Sequence, residues 1–363
     1  MDRLPTLEGK LMYLSSSDNT EFWGAVLEKA YAKLYGSYEA LEGGWISEAL
    51  GDMTGGLTEI IDIKSPSQNL LRIIFRGIKL GSLFGCSIIK KSSEAEGQPP
   101  YGLKNNHAYS ITGMQIVKGP MGIPTPLIRI RNPWGDEQEW TGPWSDNSSE
   151  WDNVSLNQRI NINLKFENDG ESWMPFDDFT KYFETLEICH IDPNIMKNVY
   201  HHNHPPSESH DTWSVQTFHG VWRRRVTAGG SLKYLQTYLL NPQYLISLDD
   251  SQHEDEDNSC TLIIGVLQKY RRELKHEGVQ NLSINFALYE IEDNLDKKLD
   301  TDFFVRNEPI FESNPVFDGY LREITSRIRV PPGKYVIVPS TKERHEEANF
   351  MLRIFTDGII ESK

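Results

Sequence analysis

Apolar and polar positions repeat with a helical period near the start of this chain and with a strand-like period later on. Asp18 and Glu21 form an N-terminal capping pattern, and apolar residues then recur at helical spacing as far as Gly36. A second helix is predicted from Pro66 to about Lys79. The apolar face of the first helix consists of Phe22, Trp23, Val26, Leu27, Ala30 and Leu34.

Short runs of β-branched and aromatic residues follow these helices and predict strands. The order of helices and strands predicts an α+β domain with an antiparallel sheet over residues 1–192. The predicted strands are Ser82–Ile88, His107–Met114, Leu127–Arg131 and Leu186–Ile191, with a short helix over Phe176–Phe183.

The second half of the chain has a different pattern. Residues 193–212 are polar, contain prolines and lack periodicity, so they are interpreted as a linker. Residues 213–358 then contain about eight short strands and no helix, which predicts a β-sandwich. The clearest strands are Trp213–Trp222, Tyr244–Leu248, Thr261–Tyr270, Ser283–Ile291, Lys334–Pro339 and Asn349–Phe355.

Composition and charge exclude several classes of protein. A length of 363 residues is typical of two domains, and a formal net charge of −15 argues against general nucleic-acid binding. The three cysteines are far apart and odd in number, which implies no disulfide framework and favours a reducing compartment. The chain has neither a signal-peptide pattern nor an apolar run of about 18–20 residues, so a cytoplasmic location is expected.

Two residues at strand ends suggest a catalytic pair. His107 opens an alternating strand in HAYSITG, and Asn132 follows an apolar strand in IRIRNPWG. A cysteine protease needs an imidazole to take the thiol proton and an amide to orient that imidazole. Without further evidence, a histidine and an asparagine at strand ends are more often ordinary structural residues.

The motifs around this pair resemble those of the calpain family, which are calcium-dependent, papain-like cysteine proteases. The matching segments, in order, are EKAYAKLYGSYEAL, TGG, GSLFGCSI, HAYSITG, IRIRNPWG, EWTGPWSD, DGESWMPFDDF and LEICHI. The resemblance implies the second half of a papain-like core, with His107 and Asn132 as catalytic residues and Trp134 shielding the active site. It further implies a protein substrate and hydrolysis of internal peptide bonds.

The nucleophile that the resemblance implies is not found among the cysteines. Cys86, Cys189 and Cys260 do not stand in the Gly-Asp-Cys-Trp type of motif that the family uses. The isolated chain is therefore expected to be inactive and to need a partner, the cysteine-bearing half of the core. Asn106 also departs from the family, which has glycine before the catalytic histidine.

The resemblance also implies a calcium site in the second core half. Its ligands would be the carboxylates Glu139, Asp146, Asp169 and Glu171, with a backbone carbonyl at Glu167. Carboxylate and carbonyl oxygens are the ligands that Ca²⁺ prefers. Considered without the family, these acidic residues could be solvated loops.

The β-rich half resembles the C2-like domain of the same family. An acidic loop there would bind calcium or a phospholipid surface, or would simply be solvated, so calcium-dependent membrane association is a further expectation. The alternative function for the whole chain is a non-catalytic module that binds calcium, phospholipid or protein. The loop acids are Asp249, Asp250, Glu254, Asp255, Glu256 and Asp257.

Overall fold

The computed structural model describes most of the chain as two compact units, residues 1–49 and residues 50–363. The boundary lies inside a helix, so it differs from the predicted division near residue 192. The described residues are 3–16, 18–66, 69–89, 99–119, 122–135, 139–193, 212–249, 259–271, 274, 277–292, 297–313 and 321–362. The predicted linker lies almost entirely outside these ranges.

The first unit contains a two-stranded hairpin and the first predicted helix. Strands β1 (Thr6–Leu7) and β2 (Lys10–Leu11) pair antiparallel, and helix α1 spans Trp23–Tyr35. The helix buries only two residues, both alanines, whereas its large apolar side chains are exposed. Those exposed side chains are Phe22 at 50%, Trp23 at 70%, Val26 at 54%, Leu27 at 42% and Leu34 at 53%.

The predicted capping pattern of α1 is wrong. Asp18 Oδ1 accepts hydrogen bonds from the backbone and hydroxyl of Thr20, at 2.8 and 2.7 Å, and thereby closes a turn before the helix. Phe22 occupies the N-cap position and gives no side-chain hydrogen bond. Competition of this kind between a local turn and a cap is characteristic of short polar side chains.

Two further helices follow. Helix α2 (Ile46–Thr54) crosses the boundary between the units and was not predicted. Helix α3 (Leu70–Lys79) confirms the second predicted helix with a later start. The delay arises because Asn69 is the N-cap, and its Oδ1 accepts from Arg72 N at 3.2 Å.

A six-stranded antiparallel sheet forms the centre of the half that carries the predicted catalytic pair. Its order is β3-β8-β4-β5-β6-β7. Its strands are β3 (Leu57–Asp62), β4 (Leu83–Ile88), β5 (His107–Lys118), β6 (Pro124–Arg131), β7 (Glu171–Pro175) and β8 (Thr185–His190). The α+β prediction is confirmed, although β3 and β7 were not predicted.

Helices cover one side of this sheet and complete its core. Residues of α3 and of α5 (Phe176–Tyr182) pack with sheet residues in a cluster that includes Ile74, Phe84, Ile128 and Phe179. The short helix α4 (Leu156–Asn161) lies in the connection between β6 and β7 and starts at an N-cap serine. The site residues are therefore attached to a well-packed sheet.

Two antiparallel sheets form the second half and share one core, as the sandwich prediction requires. The five-stranded sheet has the order β13-β12-β15-β10-β17, and the four-stranded sheet has the order β14-β11-β16-β9. Trp222 and Phe350 from one sheet meet Phe286 and Tyr335 from the other. The strands are β9 (Ser214–Trp222), β10 (Tyr244–Asp249), β11 (Cys260–Lys269), β12 (Ile284–Ile291), β13 (Phe311–Glu312), β14 (Glu323–Val330), β15 (Gly333–Thr341), β16 (Ala348–Thr356) and β17 (Ile359–Ser362).

Two details of the sandwich correct the prediction. Short helices α6 (Leu235–Tyr238) and α7 (Thr301–Arg306) are present, and Phe304 of α7 packs on the outer face of the five-stranded sheet beside Tyr289. Strand β17 begins at Ile359 and pairs with β10, so the sandwich extends past residue 358.

The outer face of the four-stranded sheet packs directly on the β3 end of the six-stranded sheet. We call this contact the seam. Leu57 of β3 joins Trp213, Ile263 and Phe355 in one buried cluster. A Cβ placed on Gly265 of β11 would lie 2.1 Å from Leu57 Cδ1, so a side chain there would force Leu57 to move. The seam therefore joins the six-stranded sheet to the sandwich within residues 50–363.

Buried charges cross the same seam. Glu59 of β3 accepts a 2.7 Å hydrogen bond from His190 Nε2 and lies within 3.2 Å of Arg327 Nε on β14. Arg353 of β16 donates to the carbonyl of Gly56 at 2.7 Å and also contacts Glu323. In the described parts of the chain, no helix has both the length and the apolar character needed to cross a membrane.

Candidate active site

His107 and Asn132 are brought together by neighbouring strands. His107 is the first residue of β5, and Asn132 directly follows β6, which pairs with β5. His107 Nε2 lies 2.9 Å from Asn132 Oδ1. Because an amide oxygen only accepts, the imidazole donates from Nε2, and Nδ1 is the nitrogen left for a reacting group. Asn132 is 1% exposed, so this bond is shielded from water.

Asn106 stands directly before His107, where the family motif has glycine. Asn106 has φ of 52°, in the left-handed region that glycine adopts without strain. Asparagine is among the few other residues that tolerate this conformation. Asn106 therefore provides the backbone turn into β5 that a glycine would provide.

Trp134 lies over the imidazole on its solvent side. The ring centroids of His107 and Trp134 are 4.6 Å apart, and the Trp134 side chain is 55% exposed. Trp134 N also donates to Asn132 Oδ1 at 3.2 Å. The indole and the amide are thus held by the same short loop after β6.

The loop of Asn132 is tied by its backbone to the start of β7. Asn132 N donates to the Gly170 carbonyl at 2.9 Å, and Gly135 N donates to the Asn132 carbonyl at 3.1 Å. Gly170 has φ of 84°, and a Cβ there would lie 2.7 Å from the Asn132 oxygen. Gly170 N in turn donates to Glu139 Oε1 at 2.8 Å. A movement of Glu139 would therefore shift Gly170 and, through it, the backbone of Asn132.

Three of the predicted calcium ligands lie near one another. Burial, together with the negative charges of Glu139 and Asp169, raises the pKa of Asp146 to about 6. Asp169 Oδ1 accepts from Glu171 N at 3.0 Å. Concentrated negative charge with oxygen donors suits a hard cation such as Ca²⁺.

The other two predicted ligands are held differently. Glu171 Oε2 lies 3.5 Å from Arg129 Nε. The backbone of Glu167 hydrogen-bonds the Asp146 carboxylate, whereas its exposed side chain lies 3.6 Å from Lys165 Nζ. Among the residues that the structure describes, no three or more His, Cys, Asp or Glu side chains are arranged as a metal-binding group. The ligand set therefore stays a prediction, supported for Glu139, Asp146 and Asp169 by charge and proximity.

Of the predicted acidic loop in the sandwich, only Asp249 lies among the described residues. Asp249 ends β10 and pairs with Ile359 of β17. The remaining acids, Asp250, Glu254, Asp255, Glu256 and Asp257, lie outside the described residues.

All three cysteines are buried as free thiols in strands. Burial raises the pKa of the Cys86 thiol well above its ordinary value and also raises that of Cys189. Cys189 pairs with Leu83 at one end of β4, whereas His107 pairs with Ile88 at the other. Standard strand spacings then separate Cys189 from His107 by about 20 Å.

Sequence reasoning missed one residue beside His107 and Asn132. Tyr109 follows His107 by two positions, and the ring centroids are 4.9 Å apart. The signal was the alternation in HAYSITG, which places positions 107 and 109 on the same face of β5.

Comparison with known proteins extends over nearly the whole chain. Residues 1–190 match the family described as "Calpain family cysteine protease", and residues 218–355 match "Calpain large subunit, domain III". Among solved structures, a pre-peptidase C-terminal domain of a Bacillus anthracis collagenase matches with a TM-score of 0.22, 10% identity and coverage of 40% of this chain and 88% of that one. That similarity is too low to bear on the fold.

Three curated relatives illustrate the match. Calpain clp-1 of Caenorhabditis elegans is 52% identical over 362 residues, covering 100% of this chain and 46% of that protein. Calpain-8 of Rattus norvegicus is 44% identical and the Calpain-1 catalytic subunit of Gallus gallus 42% identical, each covering 98% of this chain and 50% of the relative. The chain thus spans about half the length of the curated relatives it matches. Since the first family match includes more than half of its residues, the chain belongs to the calpain family of cysteine proteases.

Proposed function

We propose that this chain supplies the histidine–asparagine half of a calcium-dependent cysteine endopeptidase that cleaves protein substrates. The observation that carries the proposal is the 2.9 Å hydrogen bond between His107 Nε2 and the buried Asn132 Oδ1. Such a bond fixes both the tautomer and the orientation of an imidazole.

In the proposed reaction, Nδ1 of His107 takes the proton of a cysteine thiol, and the thiolate attacks the scissile carbonyl carbon. The resulting imidazolium then gives this proton to the leaving amine, and an acyl-enzyme remains. Asn132 stays hydrogen-bonded to Nε2–H throughout and stabilises the charged ring. Water, deprotonated by the same imidazole, then attacks the thioester carbon and the C–S bond breaks. The acid product leaves, and the imidazolium returns its proton to the thiolate.

We further propose that none of the three cysteines of this chain is the nucleophile. A nucleophilic thiol needs access and a lowered pKa, whereas Cys86 and Cys189 are 0% exposed and have raised pKa values. Cys86 lies opposite Tyr109, diagonally across from His107, but it faces the core. Cys260 belongs to β11 in the sandwich.

The nucleophile would then come from a cysteine-bearing half-core. The exposed apolar face of α1 supports this partner, because a helix that buries only Ala25 and Ala32 leaves its larger side chains in water. Patches of exposed large apolar side chains are typical of interaction surfaces. The occupant of this face would be the missing part of the same protease core.

Calcium would be held by Glu139, Asp146 and Asp169. When bound, it would neutralise the mutual repulsion of these carboxylates. The Glu139 carboxylate accepts a hydrogen bond from Gly170 N, and the Gly170 carbonyl accepts one from Asn132 N. The acidic residues thereby influence the orientation of Asn132 through two hydrogen bonds.

The sandwich is proposed to be C2-like, extending from about residue 213, with residues 193–212 as the linker. Two antiparallel sheets around one core support this assignment. Binding of calcium, phospholipid or protein by its acidic loop remains a prediction, as do cytoplasmic localisation and calcium-dependent membrane association.

The decisive experiment mixes this chain with a separately expressed cysteine-bearing half-core and follows cleavage of a fluorogenic peptide with and without calcium. We expect hydrolysis only in the calcium-containing mixture. Hydrolysis by this chain alone would refute the assignment of the nucleophile. Equal activity of the His107→Ala mixture would refute the role of His107.

The calcium proposal has its own test, which needs no activity. Calorimetric titration with CaCl₂ should show an affinity at least about tenfold weaker for Asp146→Asn, because one charged ligand is lost. Glu167→Gln is the matched control, since it keeps the backbone carbonyl and changes an exposed side chain. Equal affinities for the wild type and Asp146→Asn would remove Asp146 from the site.

A further inference from the structure

Tyr109 forms a rigid wall on one side of the His107 imidazole. The two rings meet edge to face, with an interplanar angle of 84° and centroids 4.9 Å apart. Behind Tyr109, the Phe183 ring packs in the same manner at 5.4 Å, and Phe183 is 0% exposed. Edge-to-face aromatic pairs have a preferred geometry, so this stack limits rotation of the imidazole.

The phenol of Tyr109 anchors the chain that leads into His107. Its oxygen accepts a hydrogen bond from Lys104 N at 2.9 Å. Burial raises the pKa of Tyr109 to about 12, so the phenol is neutral at physiological pH. The anchored segment ends in the left-handed residue Asn106, directly before His107. One side chain therefore contacts the imidazole and also holds the turn that positions it.

We propose that Tyr109 is a positioning residue of the protease site, which directs Nε2 of His107 toward Asn132 and leaves Nδ1 for the thiol. This inference rests on the proposed function of His107 and Asn132. It assigns different roles to the two rings around the imidazole. Tyr109 is 4% exposed and fixed in the core, whereas Trp134 is 55% exposed on the solvent side.

Two substitutions separate the contacts of Tyr109. Tyr109→Leu removes the ring and the phenol, whereas Tyr109→Phe removes only the phenol. In the reconstituted protease we expect about a tenfold or greater fall in kcat for Tyr109→Leu with little change in KM, because misplaced catalytic groups slow the chemical step. Tyr109→Phe should restore most of that kcat, since it returns the ring to the imidazole.

Nitrogen-15 NMR of His107 in this chain provides a readout that does not depend on the partner. The wild type and Tyr109→Phe should show a single tautomer protonated at Nε2, and Tyr109→Leu should show averaged ring-nitrogen shifts. Phe84→Leu is the matched control: it removes another buried ring of the same cluster, at a position that pairs with Ile111 rather than with Tyr109. A purely structural role would give Phe84→Leu and Tyr109→Leu the same spectrum.

The outcomes separate this inference from the proposed function. If His107→Ala abolishes reconstituted activity while folded Tyr109→Leu keeps wild-type kcat and a single tautomer, only the positioning role is refuted. If His107→Ala remains active, the proposed function fails first. If Tyr109→Leu does not fold, folded Phe183→Leu takes its place, because it removes the ring that packs behind Tyr109. Averaged His107 ring-nitrogen shifts in Phe183→Leu beside a wild-type spectrum in Phe84→Leu would then support the proposal, and a single Nε2-protonated tautomer in Phe183→Leu would overturn it.

Discussion

Removal of Arg327 should leave a buried charge without its partner at the seam. Glu59 is 6% exposed, and its carboxylate lies within 3.2 Å of Arg327 Nε. Burial alone would raise the pKa of Glu59, but Arg327 and His190 outweigh burial and hold this pKa well below its ordinary value. Arg327→Met keeps the aliphatic volume and removes only the guanidinium.

The expected loss of stability follows from the burial of the Glu59 carboxylate. Breaking a buried ion pair on one side typically costs about 3–5 kcal/mol, because the remaining charge has lost its compensation. With His190 Nε2 still donating at 2.7 Å, we expect the lower end, about 3 kcal/mol. That is a large fraction of a domain stability of roughly 5–15 kcal/mol.

The assay is urea denaturation at pH 7, followed by circular dichroism, with a double-mutant cycle. Glu59→Leu combined with Arg327→Met should be more stable than Arg327→Met alone, because no unpaired carboxylate remains. A loss below about 0.5 kcal/mol for Arg327→Met would refute the reasoning, because that is the size expected of an ordinary surface substitution. Strictly additive single losses in the double variant would refute it as well.

Three further predictions concern other positions. Burial lowers the pKa of His190, although Glu59 opposes this. Just below pH 6.5 the folded chain therefore binds fewer protons than the unfolded chain. The free energy of unfolding should consequently fall as the pH drops through that value. Urea midpoints of His190→Gln should lose this dependence, whereas those of the exposed His219→Gln should keep it. Gly265→Ala would force a methyl group against Leu57 and should lower the melting temperature, since overpacking typically costs roughly 1–3 kcal/mol. An unchanged melting temperature would contradict the close fit. Asn106→Val should cost about 1–2 kcal/mol in urea unfolding while Asn106→Gly is tolerated, and equal stability of the two variants would contradict the left-handed conformation.

The close approach of His107 and Asn132 could be predicted from sequence because its determinants are local. HAYSITG alternates as a strand should, and IRIRNPWG ends a strand at Asn132. Two adjacent antiparallel strands then need only the correct register to join His107 with Asn132. The family motifs supplied that register.

The seam could not be predicted, because its determinants are far apart in sequence. Strand β3 reads LTEIID, and its acidic residues argue against a buried strand. Glu59 is nevertheless buried, since Arg327 reaches it from β14. The apolar face of α1 was identified by its periodicity, but periodicity does not show whether such a face is buried or exposed.

The distance along the chain between the members of the seam also has a consequence during synthesis. Arg327 lies 268 residues after Glu59, and ribosomes that add about 5–20 residues per second would need roughly 13–54 s to produce that interval. Throughout this time, strand β3 would carry its carboxylate without the guanidinium that later neutralises it. The histidine–asparagine half should therefore reach its native form only after β14 and β16 have emerged, and chains stalled before that point should be preferred clients of chaperones.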